Sequence, residues 1–293
     1  MRWDQGHCDL LALPARFLHD TPMTPPVPLA GLCWDGSASH LRGAALGPRQ
    51  IREALIDPAG NSWSRHGIDS LRLINDLGDV TVAPNASTTA AMDSIAGALD
   101  ALLPDGASPL VLGGDHSVTL PVLRVLSRRG LRPAILHLDA HPDLYPDFEG
   151  DRYSHACPFA RILEEDLATA LVQVGIRTMN EVQRDTAQRH GVRSFLPDAW
   201  DEGLAALPAG PLYLSMDLDA LDPAFAPGVA HPEPGGLSVR EVLTILDRLP
   251  PTLIGADIVE YTPSCDVNGA TARVAARFVK ELVPRMSRSR LRW

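Results

Sequence analysis

Along this chain, short apolar runs alternate with stretches whose apolar positions recur every three or four residues. The runs lie in VPLAGLC, LRLINDLG, PLVLGG, PAILHLDA, ALVQVGIR, VRSFL, PLYLSMDLD and TLIGADIVE. Each reads as a strand, and helical periods fill most of the gaps between them. In SVREVLTILDRL, Val239, Val242, Leu243 and Leu246 fall on one face, and Ser238 and Glu241 have the spacing of a capping box. GATARVAARFVKELV near the end of the chain repeats the pattern with Val274, Phe278 and Val279. Strand–helix alternation predicts a parallel sheet, and runs apolar at nearly every position predict strands covered on both faces. The expected fold is α/β, a three-layer α/β/α sandwich.

Three of these strands end in costly polar groups. ILHLDAHPD places Asp139, His141 and Asp143 at every second position, VLGGDHSV ends in His116, and YLSMDLDALDP ends in Asp217 and Asp219. An ionised carboxylate withdrawn from water must be paired or must hold a metal. Alternate residues of a strand share a face, and the carboxyl ends of strands form the ligand crevice of open α/β sheets. Taken singly, each has an ordinary reading: a helix cap, a satisfied core histidine, a solvated turn. Three such clusters at adjoining strand ends favour a metal site instead. Four carboxylates and two imidazoles without a thiolate suit Mn²⁺, with Fe²⁺, Co²⁺ or Ni²⁺ as alternatives. One ion cannot use them all comfortably. Two ions roughly 3.5–4 Å apart, bridged by Asp139 and Asp217, would use every ligand and hold a nucleophilic hydroxide.

Composition narrows the partner. The 293 residues carry a formal net charge of −10, which disfavours nucleic acid and anionic membranes and favours a small cationic molecule. Cys8, Cys33, Cys157 and Cys265 form no CxxC pair, so a reducing cytoplasm is expected. The first residues do not read as a signal peptide or membrane span. We expect an N-terminal arm over residues 1–28, which includes DTPMTPPVP, and a single catalytic domain over residues 29–293.

The motifs GGDHS, DAHPD, SMDLDALDPAFAPG and ADIVEYTP occur in the order found in the ureohydrolase family of arginases, agmatinases and related guanidino hydrolases, which the chain resembles from about Leu29 to its last helix. YSHACPFARI and APGVAHPEPGGLS are most similar to the plant-type arginase branch. The resemblance implies an eight-stranded parallel sheet, assembly as a homotrimer or homohexamer, and two Mn²⁺ per subunit. It implies one metal on His116, Asp139, Asp143 and Asp217, and a second on Asp139, His141, Asp217 and Asp219. It implies that Glu260 pairs with the substrate guanidinium and that His155 shuttles protons, with Asp143 or His155 protonating the leaving amine. Cys157 is assigned no role. Two other readings compete: a dinuclear phosphoesterase, which would need basic groups these strands lack, and a catalytically silent subunit, which the intact ligands disfavour. Substrate choice is expected to rest on Asp151, four residues before His155, where the arginases it resembles carry a neutral residue. Its charge favours agmatine over arginine.

Overall fold

The four strands buried along their whole length are Leu110–Gly113 (β3), Ala134–Leu138 (β4), Leu212–Asp217 (β7) and Leu253–Val259 (β8). They are also the four in the middle of the sheet. In the computed structural model, which describes residues 26–83 and 85–289, Val27–Cys33 (β1), Ile74–Thr81 (β2), Ala170–Val174 (β5) and Arg193–Phe195 (β6) complete an eight-stranded parallel sheet. Its order is β2-β1-β3-β8-β7-β4-β5-β6. The outermost strands, β2 and β6, are the ones with mostly exposed or half-buried residues. Apolar density along the chain thus marked depth in the sheet.

Helices cover both faces. Gly47–Leu55 (α1), Val239–Arg248 (α7) and Ala270–Ser289 (α8) pack on one side through Ile51, Ile245 and Phe278. Thr88–Leu102 (α2), Thr119–Arg128 (α3) and Pro158–Glu164 (α4) pack on the other through Ile95, Leu123 and Phe159. Glu181–His190 (α5) and Trp200–Ala205 (α6) flank the β6 edge. The capping box of α7 forms as its spacing predicts, Ser238 accepting from Glu241 N–H and Glu241 from Ser238 N–H.

Three boundaries differ from expectation. Val27 and Pro28, grouped with the arm, are the first residues of β1, and arm residues 1–25 lie outside the described residues. Strand β2 starts at Ile74 because Ser70–Leu73 forms a 3₁₀ turn, with Leu71 and Leu73 against the core. Helix α8 continues past Val283 through Pro284 to Ser289. Among the described residues, no helix is long and apolar enough to cross a membrane.

Candidate metal centre

His116 reaches the centre on a turn only glycine permits. A Cβ on Gly114 would stand 1.7 Å from the Trp34 carbonyl oxygen, so any side chain would force the turn after β3 away from the end of β1. Asp115 then caps the 3₁₀ turn His116–Val118. The imidazole Nε2 of His116 lies 3.0 Å from Ser215 Oγ, whose hydroxyl donates to Asp257 Oδ1 at 2.7 Å. The serine proton is thereby committed, so Nε2–H of His116 is the donor and Nδ1 is the ring nitrogen left to face the carboxylates. That Nδ1 is buried without a hydrogen-bond partner and stands 3.1 Å from one oxygen each of Asp139, Asp143 and Asp217. Against its burial, the three carboxylates raise His116 well above the ordinary imidazole range, so a proton fills the gap between the four groups in the absence of metal, and the same convergence of one nitrogen and three oxygens fits a cation.

Asp139 divides its carboxylate. Oδ2 faces His116, while Oδ1 accepts the His141 N–H at 2.6 Å and lies 3.5 Å from His141 Nδ1. Asp219 Oδ2 stands 2.9 Å from the same Nδ1, which makes Asp139, His141 and Asp219 a second ligand group. Asp217 presents Oδ2 to His116, and its Oδ1 accepts the Asp219 N–H at 2.8 Å. Burial, reinforced by its acidic neighbours, pushes Asp217 up, and the same causes push Asp219 up to about 7. Burial opposes charge on His141, but Asp219 and Asp139 outweigh it and raise the imidazole to about 12. Without a cation this cluster is held together by protons.

Beside it, Glu260 follows the last residue of β8 in the left-handed region, with φ at 63°. Its Oε1 accepts from His116 N–H and from His155 Nδ1, both at 2.8 Å. Burial works against its charge, yet His155 and these bonds hold it below the usual carboxylate range. His155 in turn is pushed up to about 9, burial being outweighed by Glu260, Asp115 and Asp143, and its Nε2 lies 2.8 Å from Ser39 Oγ. A cavity of about 210 Å³ opens here, lined by His141, Asp143, His155, Asp217, Asp219 and Glu260 among others.

Asp151 is the expected residue that the structure does not bring in. The backbone bridge between Phe148 and Asp151 turns it aside, and its carboxylate accepts from Tyr153 N–H at 2.8 Å and the Thr88 hydroxyl at 3.0 Å. Phe148, not Asp151, lines the cavity. Cys157 is buried behind the same loop, its thiol 3.7 Å from the Asp151 carbonyl. Four functional candidates went unassigned in the sequence. His137 lies against Asp139 (Nε2 to Oδ2, 2.7 Å), and its position two residues before that ligand was the available signal. Ser39 and Glu233 line the cavity, as does His231, whose Nε2 is buried without a partner; loop residues this far apart carry no spacing signal.

The profile of the arginase family matches residues 26–284. The chain belongs to the arginase family. Arginase 1, mitochondrial, of Arabidopsis thaliana is 42% identical over 276 residues, 89% of this chain and 81% of that one. Proclavaminate amidinohydrolase of Streptomyces clavuligerus is 38% identical over 294 residues, 94% and 92% of the two chains. The arginase of Medicago truncatula superposes with a TM-score of 0.82 at 38% identity, covering 90% of this chain and 88% of that one. The protein is therefore an arginase-family amidinohydrolase, and its His–Asp cluster is compatible with a binuclear metal site.

Proposed function

We propose that the protein hydrolyses a small guanidino compound to urea and an amine, with Mn²⁺ on the carboxylate-rich ligands and agmatine as the preferred substrate. The observation that carries the hydrolytic reading is Glu260, a buried ionised carboxylate standing beside two ligand groups. Divalent cations on those ligands supply a polarised water that is nucleophilic near neutral pH. Glu260 Oε1 is already occupied, whereas Oε2 has no partner among the described residues and takes the guanidinium N–H groups in a charge-assisted bond. This fixes the carbon for attack. His155 carries a proton at neutral pH, and Ser39 at its Nε2 lines the cavity, so the proton passes to the leaving nitrogen as the C–N bond breaks. Asp143, which also lines the cavity, is the second group that the family resemblance offers for that proton transfer.

For the remote end of the substrate, the support comes from Glu233. Among the described residues, the ionisable side chains on the cavity wall are carboxylates, imidazoles and one tyrosine, and the half-exposed Glu233 lies 3.9 Å from His141 Nε2. An amine tail is attracted there and a carboxylate repelled. Arginine is the second reading, favoured by the plant arginases, and Ser39, Thr178 and Gln183 on the wall offer neutral donors for its carboxylate. Urea release from agmatine, arginine and guanidine decides. We expect kcat/KM for agmatine to exceed that for arginine at least about tenfold, Glu233→Gln to shrink the ratio, and Asp151→Asn to leave it unchanged. A preference for arginine selects the second reading, and no urea from any guanidino compound in the Mn²⁺-loaded protein overturns both.

A further inference from the structure

Beneath the metal ligands runs a row of polar side chains that the sheet's pairing lines up. His137 on β4 is paired with Gln173 on β5, and Gln173 with Ser194 on β6. In the other direction His137 is paired with Ser215 on β7, and Ser215 with Asp257 on β8. Laterally paired residues of a parallel sheet point to one face, so these five form a single rank across five strands. His137, Gln173, Ser215 and Asp257 are wholly buried, and the rank stops at Val111 on β3. It lies two residues before Asp139 and Asp217, on the same face.

Its protons are assigned by its neighbours. The Pro142 carbonyl oxygen lies 2.7 Å from Gln173 Nε2, and a carbonyl only accepts, so the amide NH₂ points there. Ser194 Oγ, 2.8 Å from Gln173 Oε1, donates to the other end. The NH₂ also lies 3.0 Å from His137 Nδ1, which must therefore accept. The ring hydrogen is then on Nε2 and goes to Asp139 Oδ2, while Phe159 stacked at 3.9 Å between centroids fixes the ring plane. Although His137 lies close enough to His116, Asp139 and Asp143 to be taken for a ligand, a nitrogen bearing hydrogen cannot be one.

Both halves of the rank end on the same metal position. His137 braces Asp139 Oδ2, the oxygen that faces His116, and Ser215 with Asp257 brace the His116 ring. The other position is not braced in this way: Asp219 Oδ1 accepts a backbone N–H from Ala140, and His141 is 26% exposed at the cavity. We propose that His137 is a positioning residue, locked by Gln173 as a donor to Asp139, and that the rank makes the His116-side position the tighter of two unequal metal positions. This rests on the dinuclear reading of the site.

Metal-stripped protein titrated with Mn²⁺, with free ion followed by electron paramagnetic resonance, should bind in two steps. His137→Phe keeps a ring against Phe159 and removes the donor; the tight step should weaken about 10–100-fold while the weak step holds. His137→Gln, which returns an N–H, should recover most of the loss. Gln173→Met, which frees the imidazole to change tautomer, should weaken the same step, and it carries the test if His137→Phe does not fold. Equal loss at both steps, an unchanged tight step, or no recovery with glutamine overturns the proposal. Failure of the wild type to bind Mn²⁺ at all overturns the metal reading on which it stands.

Discussion

Glu260 holds a backbone conformation that costs a non-glycine residue about 1–2 kcal/mol, and Asp143 at φ 50° is similarly placed. Such strain persists where surrounding structure imposes it, and here the Glu260 N–H is tied to the Gly114 carbonyl at 2.8 Å. The twist aims the carboxylate at His155. Glu260→Gln keeps the shape and loses the charge; it should retain its cations while kcat/KM falls by roughly 2–4 kcal/mol of transition-state stabilisation, read from kinetics and metal analysis of one preparation. At this scale the sequence was legible wherever a polar residue broke an apolar run at a strand end, as with His116, Asp139 and Asp217. His137 was not, because a histidine inside an apolar run looks like core until its lateral neighbours are known. Asp151 was misjudged for a related reason: nearness in sequence to His155 gave its charge but not its direction, which the Phe148–Asp151 bridge sets.

Among elements, the turn after β3 shows how packing outweighs local preference. Gly114→Ala would drive a methyl group into the Trp34 carbonyl, and we expect a loss of roughly 3 kcal/mol together with weakened cation binding, since His116 follows two residues later. Gly97 makes the opposite case. It lies inside α2 with open space around its missing Cβ, so Gly97→Ala should gain about 0.4–1 kcal/mol. Denaturant midpoints compare the two directly. Element identity was legible because strand and helix periods differ, and the eight apolar runs all become strands. Ends were less so: β2 begins late because Leu71 and Leu73 reach the core from a 3₁₀ turn, a contact that periodicity along the chain cannot report.

For the whole molecule, the centre couples metal to protons and to stability. In the metal-free protein His141 at about 12 and Asp219 at about 7 hold protons at neutral pH. Cation binding must displace these protons, together with any on His116 and Asp217, which are raised as well, so protons should be released near pH 7 and apparent affinity should rise with pH, as calorimetry in buffers of different ionisation enthalpy would measure. Asp219 is raised on folding, so its contribution is complete below its ordinary value of 3.8 and is lost as pH rises through about 7. The chelated protein should therefore lose thermal stability across that window, and the loaded protein should not. A flat Tm for the chelated form would contradict the shared-proton picture.

The strand order has a consequence for how the molecule is made. Strands β7 and β8 occupy the middle of the sheet yet follow the other six along the chain, so a nascent polypeptide released only as far as α6 has two half-sheets, β2-β1-β3 and β4-β5-β6, with nothing between them. Each half shows an open edge built of wholly buried side chains, a surface prone to pairing with other chains. His116 rides on one half and Asp139 on the other, and they meet only when the last two strands slide in. A fragment of residues 26–205 should capture no metal and should aggregate, whereas supplying residues 206–289 in trans should rescue both faults. The ribosome thus makes the wedge after both halves that it joins, and the catalyst cannot assemble before β7 and β8 have been synthesised.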